Sequence, residues 1–374
     1  MLNFILFLVL TVHIYSITKS YYTSHGTTQR VLVILLFTVH FAAMGLAHHN
    51  TIADAIVFYE NAENATSWFS LLGLGSLFMS FLIYPLVHLG VSMFVLFLLF
   101  ATISYRAFLW YFDQMSSDSG KGLLIYGVPV IQLFFLLPSL HYWSGFLGKD
   151  ALVFFFLTYL LFEVKKKDRI NFLHIVVLVL LFLLRPHIFI VVFIAFFIFF
   201  FFQKRNSNLL KIKLLVLTVL VAGLSVPVLM YFLKLKHLTY SSIVEKAYEL
   251  NSYGMKSGSG INLMETSYLE QIFLLLFRPL FYDATTIYQY IVSVENSFVL
   301  VFFVYGSIYL FSKRKKIVVV EEVKLALLIG CSILLMIATY IYNLGLASRM
   351  RLMFLPLFFY ALHQIVHHKC DQEV

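Results

Sequence analysis

The chain has 374 residues, of which 61% are hydrophobic, 18% aromatic and only 12% charged, with a mean hydropathy of +0.91. A water-soluble domain carries about twice that charge, so composition excludes one. The net charge of +9 sits in short basic clusters between apolar runs, as topology signals do, and argues against nucleic acid as a partner.

The apolar runs are long enough to cross a hydrocarbon core of roughly 30 Å, and none alternates apolar with polar residues as a transmembrane β-barrel would. The expected fold is therefore all-α, a polytopic integral membrane protein. The first run, "MLNFILFLVLTVHIYSI", lacks a basic leader and an Ala-x-Ala cleavage pattern, so it reads as a retained span. With it, runs near 2–18, 31–47, 91–111, 122–139, 145–163, 171–184, 188–203, 213–233, 296–311, 322–341 and 351–367 predict about eleven crossings. The stretches 71–88 and 271–292 are apolar but broken by Gly, Pro or charge, and read as re-entrant or interfacial pieces on one face. Cys331 lies in an apolar run and Cys370 near the C-terminus, a usage that implies neither a disulfide framework nor a metal site.

Orientation follows from lysine and arginine. Lys19 and Arg30, Arg106 and Lys121, the "KKKDR" at 165–169, the basic residues of 204–213, "SKRKK" at 312–316 with Lys324, and Lys369 together hold eighteen of the 27 basic residues, all on one set of connections. The positive-inside rule places that set in the cytoplasm, with the N-terminus outside and the C-terminal tail, 368–374, inside. Segments 48–90 and 234–295 become outer loops. With no internal repeat visible, a single membrane domain spans 1–374.

The basic residues left on the outer side include Lys149, Arg185, Arg278, Arg349 and Arg351, each beside or within apolar sequence. In chain order, the first outer loop, "HHNTIADAIVFYENAENA", brings His48, His49, Asp54, Tyr59 and Glu60. Adjacent helical histidines point about 100° apart, and no third ligand is spaced for zinc. Asp54 reads as a helix cap or as a base. The "NAT" at 64–66 fits a glycosylation sequon. Next comes "PSLHYWSGFLGKDALVFFF". Ala151–Glu163 is 13 residues, about 20 Å of helix, so the helix is predicted to start near Ser144, with Lys149 and Asp150 one to two turns inside it. Gly145 and Gly148 would leave one side thin enough for close approach of a helix or ligand. Lys149 alone reads either as a snorkelling anchor or as part of a site.

Residues 170–202 make 33 residues, roughly 50 Å of helix and too long for one span. A split at "RPH" puts Arg185 at depth, where an isolated arginine costs about 2.5–3.5 kcal/mol and needs a partner or a wet cavity. Pro186 suits the break, and His187 beside it reads as a core histidine or a ligand contact. "FRPLFYDATTIYQYIVSVEN" adds Arg278, Asp283 and Glu295, and "NLGLASRMRLMFLP" adds Arg349 and Arg351, which also read as span-end anchors.

In order, "ADAIVFYENA", "PSLHYWSGFLGKD", "LLRPH", "FRPLFYDA…SVEN" and "ASRMRLMFLP" resemble a group of bacterial polytopic proteins of surface-polysaccharide loci. These are the O-antigen polymerases, the EpsG-type exopolysaccharide proteins and, more distantly, the GT-C glycosyltransferases. The resemblance covers about residues 45–360 through short motifs. It implies a glycosyltransferase or polysaccharide polymerase of the cytoplasmic membrane, taking a polyprenyl-phosphate- or polyprenyl-diphosphate-linked sugar donor and a glycan acceptor at the outer face. Asp54 matches the GT-C loop carboxylate, the base on the acceptor hydroxyl. Arg185, Arg278 and Arg349 or Arg351 match the polymerase arginines. The chain departs from GT-C in lacking a second carboxylate two residues from Asp54 and a large soluble domain.

The expected site thus comprises Asp54, Asp150 and Asp283 as candidate bases, with Lys149, Arg185, His187, Arg278, Arg349 and Arg351 holding the phosphate without a metal or other cofactor. Aromatic residues such as Tyr142, Trp143, Tyr282 and Tyr288 would stack on sugars or mark the interface. A flippase for lipid-linked glycan would use the same cations, although transporters commonly show repeated halves. A non-catalytic membrane component of an assembly complex would instead pair its charges internally.

Overall fold

The computed structural model describes residues 1–50, 53–116, 124–125, 128–167, 171–203, 207–233, 235, 237, 239–256, 259–313 and 319–368. The basic connections at Lys121, 168–170, 204–206 and 314–318 lie outside them, as does the tail from Lys369. The chain forms two compact units, one of Met1–Arg185 with Leu362–Val374 and one of Pro186–Ala361.

The first unit contains α1 (Leu2–Ser24), α2 (Thr27–His49), α3 (Ala53–Asn64), α4 (Ser76–His88) and α5 (Met93–Ser116). A two-residue ladder follows, β1 (Leu124–Ile125) with β2 (Val128–Pro129), then α6 (Val130–Leu133), α7 (Pro138–Ser144), α8 (Lys149–Lys167) and α9 (Phe172–Leu184). The second unit contains α10 (Pro186–Phe202), α11 (Asn208–Leu233), α12 (Tyr240–Met255), α13 (Tyr268–Phe277), α14 (Ile287–Lys313), α15 (Glu321–Ala338) and α16 (Leu344–Met350). The last helix, α17 (Leu355–His368), begins in the second unit and ends in the first.

Among the described residues five helices are long and apolar enough to cross a membrane, or up to seven if each of two bent pairs counts as one span. The architecture is that of an α-helical membrane protein. Apolar side chains on α1 and α11 face outward, with Phe4 65% and Leu224 73% exposed, a pattern suited to lipid rather than water. By contrast most of α5 is buried, apart from one stripe that carries Ile103, Arg106, Trp110 and Asp113. It continues to Ser116, so Arg106 lies on the helix, over Trp110, and not in a connection.

Not every one of the eleven runs appears as a single long helix among the described residues, because several are broken or short. Residues 122–139 include the small ladder, one turn of α6 and a 3-10 turn before Pro138 opens α7. Two helices, α9 and α10, have 13 and 17 residues, about 20 and 26 Å at 1.5 Å per residue.

The α8 boundary also differs from expectation. Ser144 closes α7 and α8 starts at Lys149, with the two axes bent by 106°. Both glycines of the bend are crowded, Gly145 by backbone and Gly148 by a side chain. A Cβ on Gly145 would stand 2.8 Å from the His141 carbonyl and 3.2 Å from Met44 Cα, and one on Gly148 would stand 2.3 Å from Phe146 Cζ. The thin face predicted there is used by α2 and by the folded-back Phe146.

Three elements of this core are tied by a polar cluster. His40 and His141 meet Nδ1 to Nδ1 at 3.0 Å, while their Nε2 atoms reach the carbonyls of Ala101 and Phe135 at 2.9 and 2.8 Å. Ser104 Oγ donates to the Ser144 carbonyl at 2.8 Å. Such links satisfy polar atoms that apolar surroundings would otherwise leave unpaired.

Candidate functional site

Of the nine residues singled out from sequence, Asp54, Lys149, Asp150 and Arg185 belong to the first unit, and His187, Arg278, Asp283, Arg349 and Arg351 to the second.

In the first unit three helix ends converge. Arg185 is the C-cap of α9, and its φ of −146° and ψ of 83° take the chain out of the helix just before Pro186, away from the helical region that a following proline disfavours. Its guanidinium pairs with Asp150, in the first turn of α8. Each charge suits its helix end, carboxylate at an N-terminus and guanidinium at a C-terminus. Both are buried, Asp150 completely.

The Leu183 carbonyl, also at the end of α9, accepts from Gly75 N–H at 2.8 Å. Gly75 precedes α4 with φ +65° and ψ −113°, a conformation that glycine alone adopts without strain. Ser76 then opens α4, and its hydroxyl accepts from Lys149 Nζ at 3.3 Å. The same ammonium lies 5.7 Å from the centre of the Phe58 ring on α3. Asp54 is one turn before Phe58 and so shares its helix face. Lys149 itself is half-buried.

The second unit builds a different arrangement. Arg278 ends α13, and its Nε donates to Asp283 Oδ2 at 2.9 Å while Nη2 pairs with Oδ1. Leu280 N–H also donates to Asp283 Oδ2, at 2.9 Å. Burial alone would raise the Asp283 carboxyl, but the guanidinium and this N–H outweigh it and hold the group below the usual carboxylate range. The same hydrogen bond raises Arg278 above its ordinary value. The Arg278–Pro279 peptide is cis.

Arg351 is 2% exposed and faces protein acceptors. Its Nε donates to the Leu275 carbonyl at 2.7 Å, Nη2 to the Arg278 carbonyl and Nη1 to Asn296 Oδ1. Asn296 Nδ2 in turn donates to the Pro279 carbonyl at 2.7 Å. Glu295, also buried, acts electrostatically on Arg351. The guanidinium thus serves as a side-chain cap on the last carbonyls of α13. Arg349 is half-buried on α16, and the His187 ring stands nearly perpendicular to Tyr340, 6.0 Å between centres.

Arg278 and Asp283 open onto a polar cavity of about 450 Å³, lined further by Ser259, Asn262, Glu265, Thr266 and Gln289. Its walls are held by short backbone contacts. Gly260 pairs with Asn343 in an antiparallel bridge, and Leu344 N–H donates to the Ser259 carbonyl at 3.1 Å. Gln289 is set by a capping box at the start of α14. Its Oε1 accepts from Thr286 N–H at 3.2 Å, while Gln289 N–H donates to Thr286 Oγ1 at 3.3 Å. Tyr282 is 73% exposed and lies beneath the Arg278 guanidinium, 5.4 Å from its carbon.

Sequence reasoning passed over Gly75, Ser76, Glu265, Gln289 and Asn296. Only Gln289 carried a local signal, the Thr-x-x-Gln of its capping box. Among the described residues no group of three or more His, Cys, Asp or Glu could hold a metal ion. No family model matches the chain, and neither a curated protein nor a solved structure does.

Proposed function

We propose that this chain is a membrane glycosyltransferase or polysaccharide polymerase that draws sugar from a polyprenyl-phosphate or polyprenyl-diphosphate at the outer face of a bacterial cytoplasmic membrane. The reading includes the eleven-crossing topology, with the N-terminus outside and the C-terminus in the cytoplasm. The observation that carries it is the junction around Lys149. A half-buried ammonium sits against the N-terminal residue of α4, at the end of its own apolar helix, α8. Helix N-termini and a fixed cation form an anion-binding arrangement, and apolar walls beside it suit a lipid tail.

In the reaction, the bond from the anomeric carbon to the phosphate oxygen breaks and its electron pair stays on the phosphate. The acceptor hydroxyl oxygen bonds to that carbon and gives its proton to a carboxylate. Lys149 stabilises the departing phosphate. Asp54, on the α3 face that carries Phe58 beside Lys149, is the carboxylate assigned to take the proton. Arg185 and Arg351 act as positioning residues.

The test is transfer from a labelled polyprenyl-diphosphate sugar by purified protein. Lys149→Ala and Asp54→Asn, inserted normally, are each expected to lose about 100-fold in rate. Full-rate transfer by both variants refutes the assignment. Movement of the lipid-linked sugar across proteoliposomes without bond formation would make the chain a flippase instead.

A further inference from the structure

The cavity beside Arg278 has the wrong electrostatics for a phosphate. Nε and Nη2 of Arg278 are committed to Asp283, so the pair contributes no net charge. Among the described residues the Glu265 carboxylate has no hydrogen-bond or ion-pair partner, and it faces the same space. An entering anion would meet two carboxylates and one guanidinium already engaged. Like charges in such a site cost binding.

Hydroxyl groups would fare differently, because each both donates and accepts. The cavity offers donors of fixed orientation. Gln289 Oε1 accepts from the N–H groups of Thr285 and Thr286, at 2.6 and 3.2 Å, which turns its Nε2 away from them as a donor. Asn262 Oδ1 accepts from Met264 N–H at 3.2 Å, which likewise assigns its Nδ2 as a donor. Arg278 Nη1 adds a third. Glu265 supplies the acceptor that a ligand O–H requires. The volume, about 450 Å³, falls in the range of small-ligand sites, roughly 300–1,000 Å³.

We propose that this cavity is a binding site for an uncharged saccharide, with Glu265 accepting from a ligand hydroxyl and Gln289 donating to another. The choice of saccharide among hydroxyl-rich ligands rests on the glycan reading above; the exclusion of phosphate rests on the cavity alone. Arg278 is then a polyol contact and not a phosphate ligand.

Saturation-transfer NMR and calorimetry on the full chain in micelles test this, with a panel of neutral mono- and disaccharides and with inorganic phosphate as competitor. At least one neutral saccharide should bind. Glu265→Gln and Gln289→Glu keep side-chain shape and should each weaken binding about tenfold, with the unfolding midpoint little changed, and phosphate should not displace the sugar. The proposal is overturned if no saccharide binds, if both variants bind as the parent does, or if phosphate competes. Saccharide binding without any glycosyl transfer sinks the transferase reading alone. Transfer that persists unchanged in both variants, with no saccharide bound at this cavity, sinks the present inference alone.

Discussion

Arg185 and Asp150 form one buried ion pair that joins the end of α9 to the start of α8. Neither group has water to fall back on, so the pair acts as a unit. Arg185→Ala or Asp150→Ala should each destabilise by about 3–5 kcal/mol, because each removes one member of a buried ion pair, whereas Asp150→Leu with Arg185→Met should come close to the parent. Unfolding midpoints of the three proteins in one detergent decide it. Single variants as stable as the parent would remove the pair from the scaffold.

Arg351 makes the corresponding prediction for the second unit. Its three donors serve Leu275, Arg278 and Asn296. Lysine cannot reach three acceptors in that fan, so Arg351→Lys should lose about 3 kcal/mol or more of stability. Conserved stability with altered phosphate affinity would instead make Arg351 a ligand contact.

The Asp283 carboxyl is held below its ordinary range, so its contribution has a defined pH window. It is fully present above the unfolded carboxyl value, about 4, and is lost as pH falls through the lower folded value. Stability measured from about pH 6 downward should therefore drop in that acidic window, and Asp283→Asn should flatten the drop. An unchanged slope in the variant would place the titration elsewhere.

Two glycines should respond in opposite directions. Gly145→Ala forces a Cβ against His141 and Met44 and should cost about 1–3 kcal/mol. Gly45, on the exposed face of α2, has nothing within 4 Å of the place a Cβ would take, so Gly45→Ala should gain about 0.5–1 kcal/mol. Thermal midpoints of both proteins check the pair.

The helical class, most helix positions and the break at Arg185 are legible in the sequence because they depend on apolar run length and on proline. The start of α8 is not. It depends on Phe146 folding over Gly148 and on α2 approaching Gly145, contacts with no linear signature. The demand that Arg185 needs a partner follows from the cost of burying its charge, but Asp150 as that partner does not, since 35 positions separate them. Arg351 reads from sequence as a span-end anchor or a phosphate contact, since a terminal arginine looks alike there whether it meets headgroups or caps a neighbouring helix. Glu265 carries no signal of its own, lying in polar loop sequence where carboxylates are ordinary.

Those 35 positions also fix an order of events during synthesis. Asp150 is made before Arg185, and the rest of α8 and all of α9 are made in between. A nascent chain ending at Leu184 carries a carboxylate in the first turn of an apolar helix with its guanidinium not yet translated. A released chain that ends there must therefore keep the start of α8 near water or bury Asp150 without its guanidinium. Truncations just before and just after Arg185 should differ sharply in stable insertion although they differ by a single residue.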